Sequence, residues 1–198
     1  MNRTVRANLS LTLDGRYHGG GGPTDLSSIV PYAVTDLGRE HLARLHLGAT
    51  TAVLGRGSAQ GFMSYWPPLA DDESVDPRDR GYAAWLRDTD KVVLSSTLIE
   101  APWPRTRVVN ASAASVVSEL KSNGEGDILV NSSPSIIKAL LKADLIDRLY
   151  IMINPEIAGA GQRLFDDGLP ATKWSLVRHD AGDLGELALI YDRALTGR

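Results

Sequence analysis

The sequence predicts an α/β protein: a mostly parallel central sheet with helices on its faces, ending in an antiparallel hairpin. Three observations carry this expectation. Short apolar runs of β character alternate with stretches of helical periodicity, which is the pattern of strand, crossover helix and parallel strand. Two neighbouring strand patterns near the end have no helix between them. The composition, 43% hydrophobic and 23% charged over 198 residues, is enough for a sizeable core in one domain, taken as residues 1–198.

Residues 5–13, 51–54, 91–94, 107–109, 128–130 and 149–153 read as strands. Helical spacing appears over 36–47 through Leu37, Leu42 and Leu45, over 113–120 through Val116, Val117 and Leu120, and over 134–141 through Ile136, Ile137, Leu140 and Leu141. A short helix is expected at 82–86 after a polar insertion, Trp66-Pro-Pro through Arg80, and a flexible glycine loop at Gly19 to Gly22. Residues 174–177 and 186–191 form the hairpin around Asp180-Ala-Gly-Asp-Leu-Gly.

Charge and residue usage exclude several chemistries. Twenty-one Lys and Arg against 24 Asp and Glu give a net charge of −3, so phosphate-backbone binding of nucleic acid is not expected. With no cysteine there is no disulfide, thiolate zinc site or cysteine nucleophile. His41 and His46 are five apart and do not share a helix face, His18 and His179 have no His or Cys neighbour, and no metal site is expected. The opening residues lack the unbroken apolar core of an export signal, and no stretch approaches the ~20 apolar residues of a membrane span. Cytoplasmic placement without membrane contact is therefore expected. Ser135-Ile-Ile-Lys138 matches the S-x-x-K of serine β-lactamases without its companion motifs and reads as helix surface.

Three turns at strand ends are candidates for ligand binding. Strand 128–130 runs into Asn131-Ser132-Ser133-Pro134, where Pro134 suits a first helical position and Ser133 a cap. Such a helix start presents free N–H groups to an anion. Strand 51–54 runs into Gly55-Arg56-Gly57-Ser58-Ala-Gln-Gly61, with glycines for close backbone approach, a guanidinium fork at Arg56 and Ser58 as a cap; it is not a G-x-G-x-x-G. Strand 91–94 ends in Ser95-Ser96-Thr97, small hydroxyl donors suited to a terminal phosphate. Together they describe a dinucleotide crevice. Asp14, in Leu13-Asp-Gly-Arg, and Asp36 are candidate acid groups, the alternatives being an Asp-Gly turn and a helix cap. Phe62, Tyr65 and Trp66 either cover a flat heterocycle or pack in the core.

The motifs Ser10-Leu-Thr-Leu-Asp-Gly-Arg, Ala52-Val-Leu-Gly-Arg-Gly-Ser, Val93-Leu-Ser-Ser-Thr-Leu, Ile128-Leu-Val-Asn-Ser-Ser-Pro-Ser and Leu145-Ile-Asp-Arg-Leu through Asn154-Pro-Glu-Ile-Ala-Gly-Ala-Gly-Gln-Arg-Leu-Phe span nearly the whole chain. In order and spacing they resemble the dihydrofolate reductase-like family that includes the reductase domain of the riboflavin deaminase-reductase. The resemblance implies a three-layer α/β/α fold and an NADPH-dependent oxidoreductase. Its substrate would be a pyrimidine- or pteridine-type heterocycle or a ribosyl imine or carbonyl, as for 5-amino-6-(5-phosphoribosylamino)uracil reductase of riboflavin biosynthesis. On this basis Gly55, Arg56, Gly57, Ser58, Asn131, Ser132 and Ser133 hold the pyrophosphate and Ser95 and Ser96 the 2′-phosphate. Nicotinamide lies near Ala7 and Asn8, and the substrate lies toward Asp14, Asp36 and Trp66. A zinc deaminase half, which needs H-x-E and P-C-x-x-C, is absent from this sequence. Asn131-Ser-Ser stands where most relatives carry glycine, which leaves open an alternative: a catalytically inactive nucleotide- or pterin-binding module on the same fold.

In the last strand pattern Leu187, Leu189 and Tyr191 alternate with Ala188, Ile190 and Asp192, so both faces are largely apolar and need cover. Two-fold association supplies it, and a homodimer is expected, the alternative being a central strand covered by helices on both sides within a monomer.

Overall fold

The computed structural model describes residues 3–194; residues 1–2 and 195–198 of the expected domain lie outside the described residues. Eight strands form one sheet in the order β4-β3-β2-β5-β1-β6-β8-β7. These are β1 (Val5–Thr12), β2 (Ala49–Gly55), β3 (Asp90–Leu94), β4 (Thr106–Val109), β5 (Asp127–Asn131), β6 (Arg148–Asn154), β7 (Trp174–Ala181) and β8 (Leu187–Arg193). The pairs from β4 to β6 are parallel, and β6 with β8 and β8 with β7 are antiparallel.

Helices α1 (Val30–Ala33), α2 (Asp36–Leu45), α3 (Arg56–Tyr65), α4 (Pro77–Asp88), α5 (Ala113–Ser122) and α6 (Pro134–Lys142) complete the chain, with a 3-10 turn at Pro67–Asp71. Strand residues alternate between faces. Val5, Ala7, Leu9, Val53, Ile128 and Val130 point to α5 and α6 and form the largest core, while Ala52, Leu54 and Leu129 point to α2, α3 and α4. The result is three layers. Helix α6 buries Ile136, Ile137, Leu140 and Leu141, each worth about 1.5–3 kcal/mol on leaving water.

Several expectations are revised. The short helix at 82–86 begins at Pro77, because the Asp76 side chain caps it by accepting from the Arg78 N–H at 2.9 Å and Pro77 occupies the first turn. Its far end is finished by the next strand: Lys91, 1% exposed, donates from Nζ to the carbonyls of Leu86, Arg87 and Thr89 at 2.9, 3.1 and 2.8 Å. Burial lowers its pKa to about 8. Strand β8 is covered on one face by its own chain, where Ala188 and Ile190 are buried. Its other face, with Leu189 and Tyr191, lines an open groove. Strand β7 is a largely exposed edge, interrupted by a bulge between Leu176 and Arg178 that blunts it against further pairing.

Candidate functional site

The first crossover runs from β1 past β5 to β2, and the last from β5 past β1 to β6, so chain direction reverses across the sheet at β5 and β1. Ligands of open α/β sheets bind beyond the strand C-termini at such a point. A cleft of about 330 Å³ opens beside it, where three helices begin. It is lined by Gly55 and Arg56 at the start of α3, Ser95 and Ser96 after β3, Asn110 and Ala111 before α5, and Ser135 at the start of α6. Each helix start carries unpaired N–H groups and the positive end of the helix dipole. Arg56 is the single Lys, Arg or His among the lining residues. Its Nη1 donates to Thr97 Oγ1 at 2.9 Å, so the fork is held at the rim. Such a donor set suits an anionic, phosphate-bearing ligand.

Of the expected cofactor residues, Gly55, Arg56, Ser95 and Ser96 meet in this cleft. The Ser95 hydroxyl oxygen accepts from the N–H groups of Thr97 and Leu98, shaping the turn, and lies 3.5 Å from Thr97 Oγ1. Gly57 and Ser58 lie in the first turn of α3. Ser58 does not cap: Gly55 takes the cap position, and Ser58 Oγ donates to the Ser132 carbonyl at 2.6 Å, tying α3 to the turn before α6.

The Asn131-Ser-Ser turn differs from expectation. Asn131 is 3% exposed, accepting from Asn8 Nδ2 at 2.7 Å and donating to Tyr82 Oη at 2.7 Å, so its amide faces inward and is no phosphate donor. Ser132 holds the left-handed φ of +46° where glycine is favoured. Its N–H donates to the Asn8 carbonyl and its hydroxyl to Asn131 Oδ1. Ser133 occupies the cap position of α6 with no capping bond; its hydroxyl donates to the Asn131 carbonyl and accepts from the Gly55 N–H, both at 3.1 Å. The side chain is thus buried against the chain and unavailable to a ligand. The anion donors at this end fall to Ser135 and the free N–H groups of the first turn.

Ala7, Asp14 and Asp36 are not in this cleft. The Ala7 side chain is buried under α5 and α6, with Val130 and Leu149 beside it on the neighbouring strands. Asp14 closes a stitched turn: it accepts from Thr12 Oγ1 at 2.6 Å, Arg16 Nε at 2.7 Å and the N–H groups of Ala158 and Gly159 at 3.1 and 3.2 Å. The Thr12 hydroxyl first, then Arg16 and the two amides, hold its carboxyl well below the usual range. Asp36 begins α2 at the surface, paired with Arg78 at 2.8 Å, while Thr35 is the cap. Trp66 packs edge-on against Tyr82, ring centroids 4.8 Å apart, in the core.

Two features escaped the sequence reading. Asn110 and Ala111 enter the cleft because Ser112 caps α5, and that cap was readable. The polar thread through Asn131 was not, since its members lie on four separate elements. Among the described residues no group of His and acidic side chains is arranged to hold a metal, and no helix is long and apolar enough to cross a membrane.

Comparison with solved structures gives the same architecture. A candidate riboflavin biosynthesis protein from Shewanella sp. PV-4 superposes with a TM-score of 0.71 at 20% identity, over 97% of this chain and 99% of that one. A pyrimidine reductase-like protein from Corynebacterium diphtheriae gives 0.65 at 15%, over 98% and 93%. A diaminohydroxyphosphoribosylaminopyrimidine deaminase/5-amino-6-(5-phosphoribosylamino)uracil reductase from Thermotoga maritima gives 0.64 at 14%; 98% of this chain is covered and 57% of that one. No curated protein matches the sequence. The RibD C-terminal domain profile matches residues 3–185, and the chain belongs to the RibD C-terminal domain family.

Proposed function

We propose that the protein is an NADPH-dependent reductase acting on a pyrimidine- or pteridine-type heterocycle or a ribosyl imine or carbonyl. The observation that carries this is the convergence of three helix starts and Arg56 on one cleft at the strand ends of a RibD C-terminal domain. Gly55 and the first turns of α3 and α6 would hold the pyrophosphate. Arg56, Ser95, Ser96 and Asn110 would take the further phosphate and ribose. When bound, the reduced nicotinamide supplies the hydride. With Asp14 locked as an acceptor and Asp36 paired at the surface, proton delivery falls to water admitted at the strand ends.

The deciding experiment is titration of the protein with NADPH and NADP, followed by nicotinamide fluorescence. Saturable binding below millimolar concentration is expected, and its absence removes the reductase reading. The left-handed Ser132 favours a second reading, a nucleotide- or pterin-binding module without turnover. It predicts a ligand-dependent rise in melting temperature with no NADPH oxidation on any pteridine or pyrimidine offered.

A homodimer is part of the proposal. The groove over β6 and β8, about 570 Å³, is lined by Leu149, Ile151, Ile153, Leu189, Tyr191 and Trp174 and walled by Leu141 of α6 and the segment 165–172; we take a second copy as its occupant. Light scattering separates the 21.3 kDa chain from a pair of roughly 43 kDa.

A further inference from the structure

A chain of buried polar groups joins four elements, α2, β1, β5 and α4. His41 on α2 is 3% exposed, and its Nε2 lies 3.0 Å from Asn8 Oδ1 on β1. In this amide orientation Asn8 Oδ1 accepts, and the matching tautomer of His41 carries its proton on Nε2. Asn8 Nδ2 in turn donates to Asn131 Oδ1 on β5, and Asn131 Nδ2 donates to the hydroxyl of Tyr82, fully buried on α4. Asn131 Oδ1 also receives the hydroxyl of Ser132 at 3.2 Å. Each link constrains the next, because flipping one amide alone would set two donors or two acceptors face to face.

The last member of this chain is the residue that needs support. Ser132 stands at φ +46°, a conformation costly for any side chain but glycine, and it is pinned by Asn8 through the backbone and Asn131 through the side chain. Its carbonyl receives Ser58 from α3, so the shape of Ser132 sets how the starts of α3 and α6 meet.

We propose that His41 is a positioning residue for the cleft: by orienting Asn8 and Asn131 it holds Ser132 in the left-handed turn that aligns the two helix starts. This rests on the reading of the cleft as the cofactor site. His41 touches no part of the cleft lining and acts only through the amides. The imidazole stays neutral in this role, since burial lowers its pKa to about 4, which leaves the Nε2 proton as the link at physiological pH.

A double-mutant cycle with Ser132→Gly tests this, because glycine takes the positive φ without assistance. His41→Phe keeps a ring against Tyr150, whose centroid lies 5.7 Å away, and drops the donor; His41→Leu takes its place if it does not fold. NADPH dissociation constants are measured for the four proteins. In the parent background, loss of the donor is expected to weaken binding about tenfold, and in the glycine background less than about threefold. His41→Gln, which restores an amide donor, is expected to stay within about twofold of the parent. An unchanged constant in the parent background, or an equal loss in both, overturns the proposal. If the parent binds no NADPH, the cofactor reading falls and the four proteins are compared by thermal unfolding instead. A loss that shrinks in the glycine background then supports the positioning role, and an additive loss overturns it.

Discussion

The ends of β2 and β5 and the ends of β1 and β6 lie side by side on the same edge of the sheet. They do opposite things with their polar groups. Strands β2 and β5 feed directly or within two residues into helices, whose first N–H groups have no partner in the helix and remain available. Strands β1 and β6 feed into loops, and loop backbone satisfies itself: Leu13 donates to the Glu156 carbonyl, Leu164 to Gly15, and Asp14 collects the amides of Ala158 and Gly159. At these four strand ends the free donors follow from whether the turn opens a helix or a loop; β3, next to β2, is the exception, since its loop still places Ser95 and Ser96 in the cleft.

The sharpest way to break this contrast is Asp14→Ala. It removes the acceptor that joins the two loops, and the largest fall in melting temperature of the changes considered is expected, with NADPH affinity within about twofold of the parent by fluorescence titration. A parallel loss of affinity would show that the stitched loops also shape the cleft. Since the folded carboxyl titrates below its unfolded value, its stabilisation is present above about pH 4 and lost as pH falls further, so the variant should lose its distinction from the parent in strong acid.

Acid also tests the buried polar thread. His41 drops from 6.5 to about 4 through burial, with Arg44 lowering and Asp180 raising its value and Tyr150 against its ring. Between these values the unfolded chain binds more protons, so stability rises with pH over that window and is lost on acidification, by up to about 3 kcal/mol. Urea unfolding at several pH values should show this slope, flattened in His41→Phe. If the cleft is the cofactor site, Arg56→Ala is expected to raise the NADPH dissociation constant about ten- to a hundredfold with little change in stability, since the fork is exposed and its hydrogen bond within the protein is to Thr97. Equal affinity would return the cleft to an ordinary meeting of helices. Ser133→Ala is the mildest, about 1 kcal/mol in denaturant unfolding, from the loss of the acceptor of the Gly55 N–H.

The layered fold was legible because it rests on periodicity: the strand and helix patterns of residues 113–153 reappear with boundaries within a few residues. Helix α3 was legible only as a short helix capped by Ser58; it starts earlier, at Arg56 with Gly55 as the cap, because Gly57 and Gly61 hide its spacing. The early start of α4 was written in Asp76-Pro77 but masked by the polar insertion around it. For the site, turn position was readable and side-chain direction was not. Gly55, Arg56, Ser95 and Ser96 reach the cleft, whereas Asn131 and Ser133 turn inward because Asn8, Tyr82 and Gly55 offer them partners from distant sequence. Asp14 reads identically as a catalytic acid or a turn anchor until the facing loop is known.

Lys91 gives the molecule a chemical reporter of its own opening. Its ammonium is enclosed by the carbonyls at the end of α4, and a lysine so enclosed is shielded from amine-reactive reagents while the helix stays docked. Freed, its amine regains ordinary nucleophilicity. Pulsed acylation read by peptide mass would therefore time the separation of α4 from β3, and acylation at this site would act as a wedge, since an amide in place of the ammonium cannot return to three carbonyls.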